Sequence, residues 1–460
     1  MTETETDGGE SLTGSEAEAD ALDYPASSWK GFFQEHFGPS MLWALISIGG
    51  SHIVLAPTLG GNFGLVAIWM FGLIYLAKYG GWELGIRYNY GAGGNPIEAY
   101  DQLPGPKNWA LWVTVGIFTI AYTGLVTAVG ASTAAFFAAI TGLTMENSFI
   151  ILVGLAGLFV VFSKYSIIEK VLTTFTISIG VLVVLGAIMG PPEAGVISET
   201  LFSFPEGRGI TSPLFIGLLA SAAGFAPTGF STSILIGSWS MAKKQGARQL
   251  RERDLDPEDP AFHDYISEWI ATGKRDFHIG YGFSFVLIVA MVILATNVLF
   301  PNPPTDENLA ISLGDILGDT FGQWAFWAMI VGAFAALYST VITLIDGSSR
   351  AASQIIPMAL ENEDEFPQET FRRGMIVVQA LVAITIIAIL GISPVTFIVW
   401  IAAALAVVEI FFYPANWYVV ENNLPDRFTP SRKWHVYYAV SMIFVVAFGI
   451  MGAAVRLGFI

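Results

Sequence analysis

The sequence contains no cysteine among its 460 residues. Disulfide frameworks, thiolate metal sites and cysteine nucleophiles are therefore excluded. Charge is scarce as well: Asp, Glu, Lys and Arg make up 13% of the chain, against about 25% in an ordinary soluble domain. Basic residues are fewest, 21 against 38 acidic, for a net charge of −17 and a pI near 4.6. That sign argues against a nucleic-acid partner. It fits either a cation-binding surface or a solvated acidic surface suited to a very salty cytoplasm. No His-x-x-His, paired-carboxylate, Walker or Gly-x-Ser-x-Gly pattern stands at the end of an apolar run. Catalysis is thus unsupported, and no cofactor is expected. A basic stretch leading into a short apolar core is also missing at the N-terminus, so no cleaved signal peptide is expected.

What the chain has in excess is apolar length. It is 54% hydrophobic with a mean hydropathy of +0.61. Eleven apolar spans can be drawn: the run from Gly38 to Gly61, then segments near 64–88, 108–132, 148–163, 165–190, 213–240, 279–300, 321–345, 373–391, 393–415 and 435–457. Many separate stretches of about 20 apolar residues are the mark of a polytopic, all-α membrane protein with the lipid bilayer as its first partner. An odd number of spans puts the termini on opposite faces. With the N-terminus inside, eighteen Lys and Arg fall in inner segments, and only Arg208 and Arg456 fall outside; Lys78 lies within a span. The positive-inside rule then predicts a cytoplasmic N-terminus and insertion in the cell (inner, plasma) membrane.

Two spans cannot run as plain helices. In GPSMLWALISIGGSHIVLAPTLGG, residues 38–61, the apolar run meets Gly49, Gly50, Ser51, His52 and then Pro57. Glycine costs a helix interior about 1 kcal/mol and proline about 3. In SPLFIGLLASAAGFAPTGFSTSILIGSW, residues 212–239, Gly224, Pro227 and Gly229 interrupt the sixth span. Freed backbone groups at membrane depth must find partners in protein or in a wet cavity. Paired broken helices in two halves of a chain point to a transporter's substrate site. His52 is a candidate metal ligand or proton relay, or else a histidine bonded to a neighbouring helix. Thr228, Ser231, Thr232 and Ser233 either line a polar path or satisfy carbonyls freed by Pro227.

Ionisable groups inside the spans are few, and each is a candidate by default. Lys78 and Glu409 lie deep in the second and tenth spans. Glu83 and Arg87 stand four apart, able to pair on one helix face. Glu409 either carries a proton or pairs structurally, with Lys78 as partner.

The frame of these motifs resembles the Nramp family of divalent-metal transporters. GPSMLWALISI, the break and GGNFG match the family's first helix without a gap; YSIIEKVL at 165–172 is similar to its fifth-helix opening; the sixth span keeps a proline among alanines. The resemblance covers roughly residues 36–457. It implies two inverted repeats of five helices, the first and sixth unwound at the middle, plus one extra helix. The chain then divides into an acidic disordered tail and lead-in segment (1–37), the first repeat plus broken sixth helix (38–240), a cytoplasmic loop (241–278) with a short helix near 262–271, and the remaining helices (279–460).

The family's ligands are absent. Its Asp-Pro-Gly-Asn is replaced by Gly49-Gly50-Ser51-His52, its Met-Pro-His-Asn by Ala226-Pro227-Thr228-Gly229, and its later histidine by Ser233. The third span, WALWVTVGIFTIAYTGLVTAVGAS, also lacks the acids of the family's proton route. Proline and the carbonyls near Ala223 carry over. Without a thioether, selection of softer metals over magnesium and calcium weakens. Without the carboxylate, a largely hydrated ion is tolerated better than a bare one. The expectation is a secondary transporter working by alternating access. Gly49, Ser51, His52, Ala223, Ala226, Thr228 and Gly229 are expected to line its site, with His52, Lys78, Ser233 and Glu409 on a proton or ion path. A divalent cation of the Mn/Fe/Mg class is the expected cargo. The alternatives are a small organic or anionic solute, and a membrane sensor that binds without transporting. Oligomeric state is not legible.

Overall fold

The computed structural model describes residues 14–162, 166–362 and 365–459. Every regular element among them is helical. Among the described residues, nine helices are long and apolar enough to cross a membrane: Trp109–Thr141, Met145–Phe162, Leu172–Met189, Pro213–Thr232, Pro260–Leu299, Gln323–Leu360, Gln368–Leu390, Pro394–Asn423 and Arg432–Val455. The interrupted segment Pro39–Phe63 and the helix Val66–Gly91, which carries Lys78, Glu83 and Arg87, complete the eleven expected spans. The architecture is the five-plus-five inverted repeat with an eleventh helix. Expected features at residues 1–13, Lys164, Tyr165 and the side chains of Glu169, Lys170 and Arg456 lie outside what is described.

Small residues set the close crossings, as they do where helices pack in lipid without a hydrophobic drive between them. A Cβ on Gly224 would run into the carbonyl of Ala402 and the amide of Ala406, so the sixth and tenth spans approach backbone to backbone. A Cβ on Gly332 would meet Ile179 at 2.7 Å, which seats the eighth span on the fifth. The first span lies against the seventh and eighth, and the third packs on the eighth and tenth. The two breaks therefore sit at the centre of the bundle.

Two expectations need correction. The seventh helix begins at His263, not near 279, and runs unbroken to Leu299. Its first turns bury Tyr265, Ile266, Trp269 and Ile270 on one side and expose polar groups on the other, so average hydropathy hides them. The end of the acidic tail and the lead-in segment carry short helices from residue 14 onward. Gly14–Asp20 is helical, and short helical turns at 29–36 follow. Aromatic anchors hold it to the 241–278 segment: Tyr24 packs edge-on against Tyr265, and His36 against Trp269. Asp276 accepts from the amides of Gly38 and Ser40 at 3.0 and 2.7 Å, closing the start of the first span. Finally, short helices Ala194–Thr200 and Leu309–Phe321 stand between spans where loops were expected.

Candidate functional site

The two breaks behave differently. The first never leaves the helical basin. Pro39–Ser47 passes through a turn at 48–49 into a widened π-type turn, Ser51–Leu55, and on into Ala56–Phe63. Gly50 has φ −56 and ψ −32, and neither Gly49 nor Gly50 has a positive φ. The first helix is thus interrupted at these glycines by a turn and a widened turn, not by extended backbone. They are small because neighbours press on them: a Cβ on Gly49 would meet Thr340 Oγ1 at 2.7 Å, and one on Gly50 would strike the Phe225 ring. The carbonyl of Ser47, loosened by the π turn, accepts from Ser51 Oγ at 2.9 Å and lies 2.9 Å from His52 Nδ1.

The sixth span does come apart. Pro213–Phe225 stops at Ala226, which is extended at φ −104 and ψ 134; Gly229 is also extended before the chain re-enters a helix at Phe230–Thr232 and Ser233–Ala242. Pro227 has no N–H to give, and the flanking carbonyls lose their partners. Two buried charges take up what is freed. Lys78 Nζ donates to Ala223 O at 2.8 Å and Thr228 O at 2.5 Å. Glu409 Oε2 accepts from the Phe230 amide at 2.8 Å. A cation thus sits at the C-terminal end of the first half-helix and an anion at the N-terminal end of the second, the favourable polarity at both ends. Lys78 and Glu409 border one narrow gap with Ala223, Ala406, Val445 and Phe448. Each of the two side chains thus holds backbone at the second break.

Between the breaks lies a cavity of about 60 Å³. Its hydroxyl-bearing residues are Ser47, Tyr122, Thr228, Ser231, Thr232, Thr340 and Thr343, and its apolar wall includes Phe118, Leu125, Phe225 and Leu405. Of the expected site residues, Gly49, Thr228 and Gly229 border it. Ser51 and His52 are buried to the side, facing the seventh span. His52 Nε2 is 2.9 Å from Ser284 O and 3.1 Å from Ser284 Oγ, while Nδ1 is 2.9 Å from Ser47 O and Ser51 Oγ. Both ring nitrogens are engaged in either tautomer, so the imidazole has no lone pair directed at the cavity. Ala223 and Ala226 contribute to the break's backbone, Ala223 through the carbonyl that Lys78 takes. Ser233 is buried, its carbonyl bonded by Asn89 Nδ2 at 3.0 Å.

Several residues at the site were not anticipated. Trp43 Nε1 donates to Thr228 Oγ1 at 2.9 Å, tying the first span to the second break. Tyr122 of the third span hydrogen-bonds Ser231 Oγ at 2.9 Å. Thr340 and Thr343 come from the eighth span. An isolated Tyr or Thr inside an apolar run carries no spacing signal, which is why only the packing reveals them. Glu83 and Arg87 pair as expected, at 2.6 Å, and Lys274 joins Glu83 at 2.5 Å. Among the described residues, no group of three His, Asp or Glu is arranged to hold a metal.

The chain matches the profile of the family described as natural resistance-associated macrophage protein-like, Nramp, over residues 60–454. An uncharacterized protein of Pasteurella multocida (strain Pm70) is 22% identical over 350 residues, covering 74% of this chain and 75% of that protein. A crystal structure of a mutant Eremococcus coleocola manganese transporter is similar with a TM-score of 0.68 at 13% identity, covering 95% of this chain and 90% of that one. MhsT in complex with L-phenylalanine is similar with a TM-score of 0.54 at 14% identity, covering 95% and 99%.

Proposed function

This chain belongs to the Nramp family and is a multi-pass secondary transporter of that type; from that premise we propose that its cargo is a divalent cation of the Mn/Fe/Mg class, moved by alternating access with part of its water shell retained. The cavity between the breaks carries this reading. Its volume is about 60 Å³, and one water needs roughly 10–15 Å³ on the same measure. About four to six waters fit, which is room for a partly hydrated ion. The lining is mostly apolar and offers a few hydroxyls and neither carboxylate nor thioether. Magnesium keeps its waters and accepts such neutral oxygens, whereas tight choice of manganese or iron calls for softer donors. Family membership and the manganese transporter of the same fold support the metal class by analogy.

In this reading Gly49, Thr228 and Gly229 border the ion. Ser51, His52, Ala223, Ala226 and Ser233 hold the break ends in shape. The N-terminus faces the cytoplasm and the membrane is the plasma membrane. A second reading, a small anionic or uncharged solute, draws on one observation: the Lys78 ammonium bonds the Thr228 carbonyl, bringing positive charge to the cavity wall.

Uptake of magnesium, manganese and calcium into proteoliposomes carrying a metal-sensitive dye tests the choice. Saturable uptake that is weakened in Thr228→Val, with KM unchanged in His52→Ala, is the expected result. Absence of uptake of all three by folded protein would sink the metal reading and leave the solute.

A further inference from the structure

The unwound carbonyls and half-helix ends of a broken helix are where carriers of this architecture coordinate a free cation. Here two of those oxygens, Ala223 O and Thr228 O, are already taken. The ammonium of Lys78 reaches the sixth span from the second, and lies 2.8 Å from Ala223 O and 2.5 Å from Thr228 O. The Phe230 ring is 5.4 Å from the same nitrogen, within cation–π range. Glu409 supplies the compensating charge from the tenth span through the Phe230 amide, and both side chains are buried with about 1% of each residue exposed. Gly229 is part of the fit, since a Cβ there would come within 2.5 Å of a Glu409 carboxylate oxygen. A lysine ammonium is a compact point charge with three donors, close in size and charge to a small monovalent ion.

We infer that Lys78 is a tethered cation. Its ammonium occupies the carbonyl position of the second break in place of a free ion, so the carrier cycles without binding a mobile cation there. Lys78 is then a positioning residue: it keeps the sixth span open at Ala226–Gly229 whether or not cargo is present. The inference rests on the reading of the breaks as the carrier's working centre and is independent of the cargo's identity.

Chemical replacement tests it without transport. Lys78→Ala removes three methylene carbons and the amine, which is the outline of n-propylammonium. Purified full-length protein is melted at constant ionic strength, with sodium or choline as the bulk cation. Wild type is expected to show the same Tm in both and no response to n-propylammonium. Lys78→Ala is expected to melt lower by roughly 5 °C or more and to regain the loss saturably with n-propylammonium, but not with 1-propanol or tetramethylammonium. A wild type stabilised by sodium over choline would overturn the inference, as would a Lys78→Ala protein that melts like wild type and ignores the amine.

Should Lys78→Ala fail to fold, the charge-neutral pair Lys78→Met with Glu409→Gln keeps the question open to measurement. Adding Glu409→Gln to Lys78→Met is expected to raise Tm, whereas Glu409→Gln alone lowers it. Additive losses would sink the idea. Because every readout is taken without cargo, failure here is distinguishable from failure of the metal-uptake experiment.

Discussion

The first and sixth spans carry similar warnings in sequence and meet different fates. Gly49-Gly50 leaves the first span wound, as a π turn whose loosened carbonyl is satisfied by Ser51 and His52 a few residues on. Pro227 undoes the sixth span, and the freed groups are satisfied by Lys78 and Glu409 from two other spans. Glycine lowers the cost of distortion without removing a donor, while proline removes one outright. In a medium without water, a break opens only where the tertiary structure supplies replacement partners. The contrast teaches that the open half of this site is built on the sixth span, with the first span as its packed wall.

The largest effect is expected from taking the partners away. Glu409→Leu leaves the Phe230 amide unpaired and the Lys78 charge uncompensated. A loss of about 3–5 kcal/mol follows for a broken buried charge pair, read as a lowered Tm in detergent, and Glu409→Gln should lose clearly less because it still accepts from Phe230. Equal losses would mean that the acceptor for the Phe230 amide contributes nothing and that the charge alone matters at the second break.

The first break is tested by overpacking. Gly49→Ala places a Cβ 2.7 Å from Thr340 Oγ1, a crowding that typically costs about 1–3 kcal/mol. The cost should shrink in a Thr340→Ala background. If Gly49→Ala is neutral by itself, Thr340 does not press on Gly49, and the contrast between the breaks weakens.

A smaller change bears on the tie between the two. Thr228→Val removes the nearer acceptor of Trp43 Nε1, with Thr232 Oγ1 remaining at 3.3 Å. About 1 kcal/mol is the expected loss, accompanied by altered tryptophan fluorescence.

The smallest effect lies outside the membrane. His36 Nε2 accepts from the Ala26 amide at 2.8 Å. Burial pushes its pKa below the usual value and Lys243 adds to this, while Glu35 opposes. A folded-state pKa below the unfolded one means stability that is complete above the ordinary histidine pKa of about 6.5 and is lost as pH falls below it. Limited proteolysis of residues 14–37 should therefore accelerate below about pH 6.5, and His36→Gln should flatten that dependence.

Much of the frame could be read from composition alone. The number of spans, their approximate ends and the position of both disturbances follow from hydropathy and from glycine and proline, because those signals are local and depend on backbone energetics. The seventh helix shows the limit: Tyr265, Ile266, Trp269 and Ile270 lie on one face amid polar neighbours, and an average over the window dilutes them. His52 shows another. A histidine beside two glycines looks like a ligand, yet its ring faces Ser284 on a helix 232 residues away in sequence, and nothing near His52 announces that.

By itself, then, the sequence determined that this is an all-helical membrane carrier with two disturbed spans, since burying long apolar runs in lipid leaves the backbone no other option. Which disturbance opens, which side chains face the cavity and where the buried charges go were decided only by the tertiary structure. Those outcomes depend on partners brought from the second, third, eighth and tenth spans, and a hydrogen bond between distant residues exists only once the chain has packed.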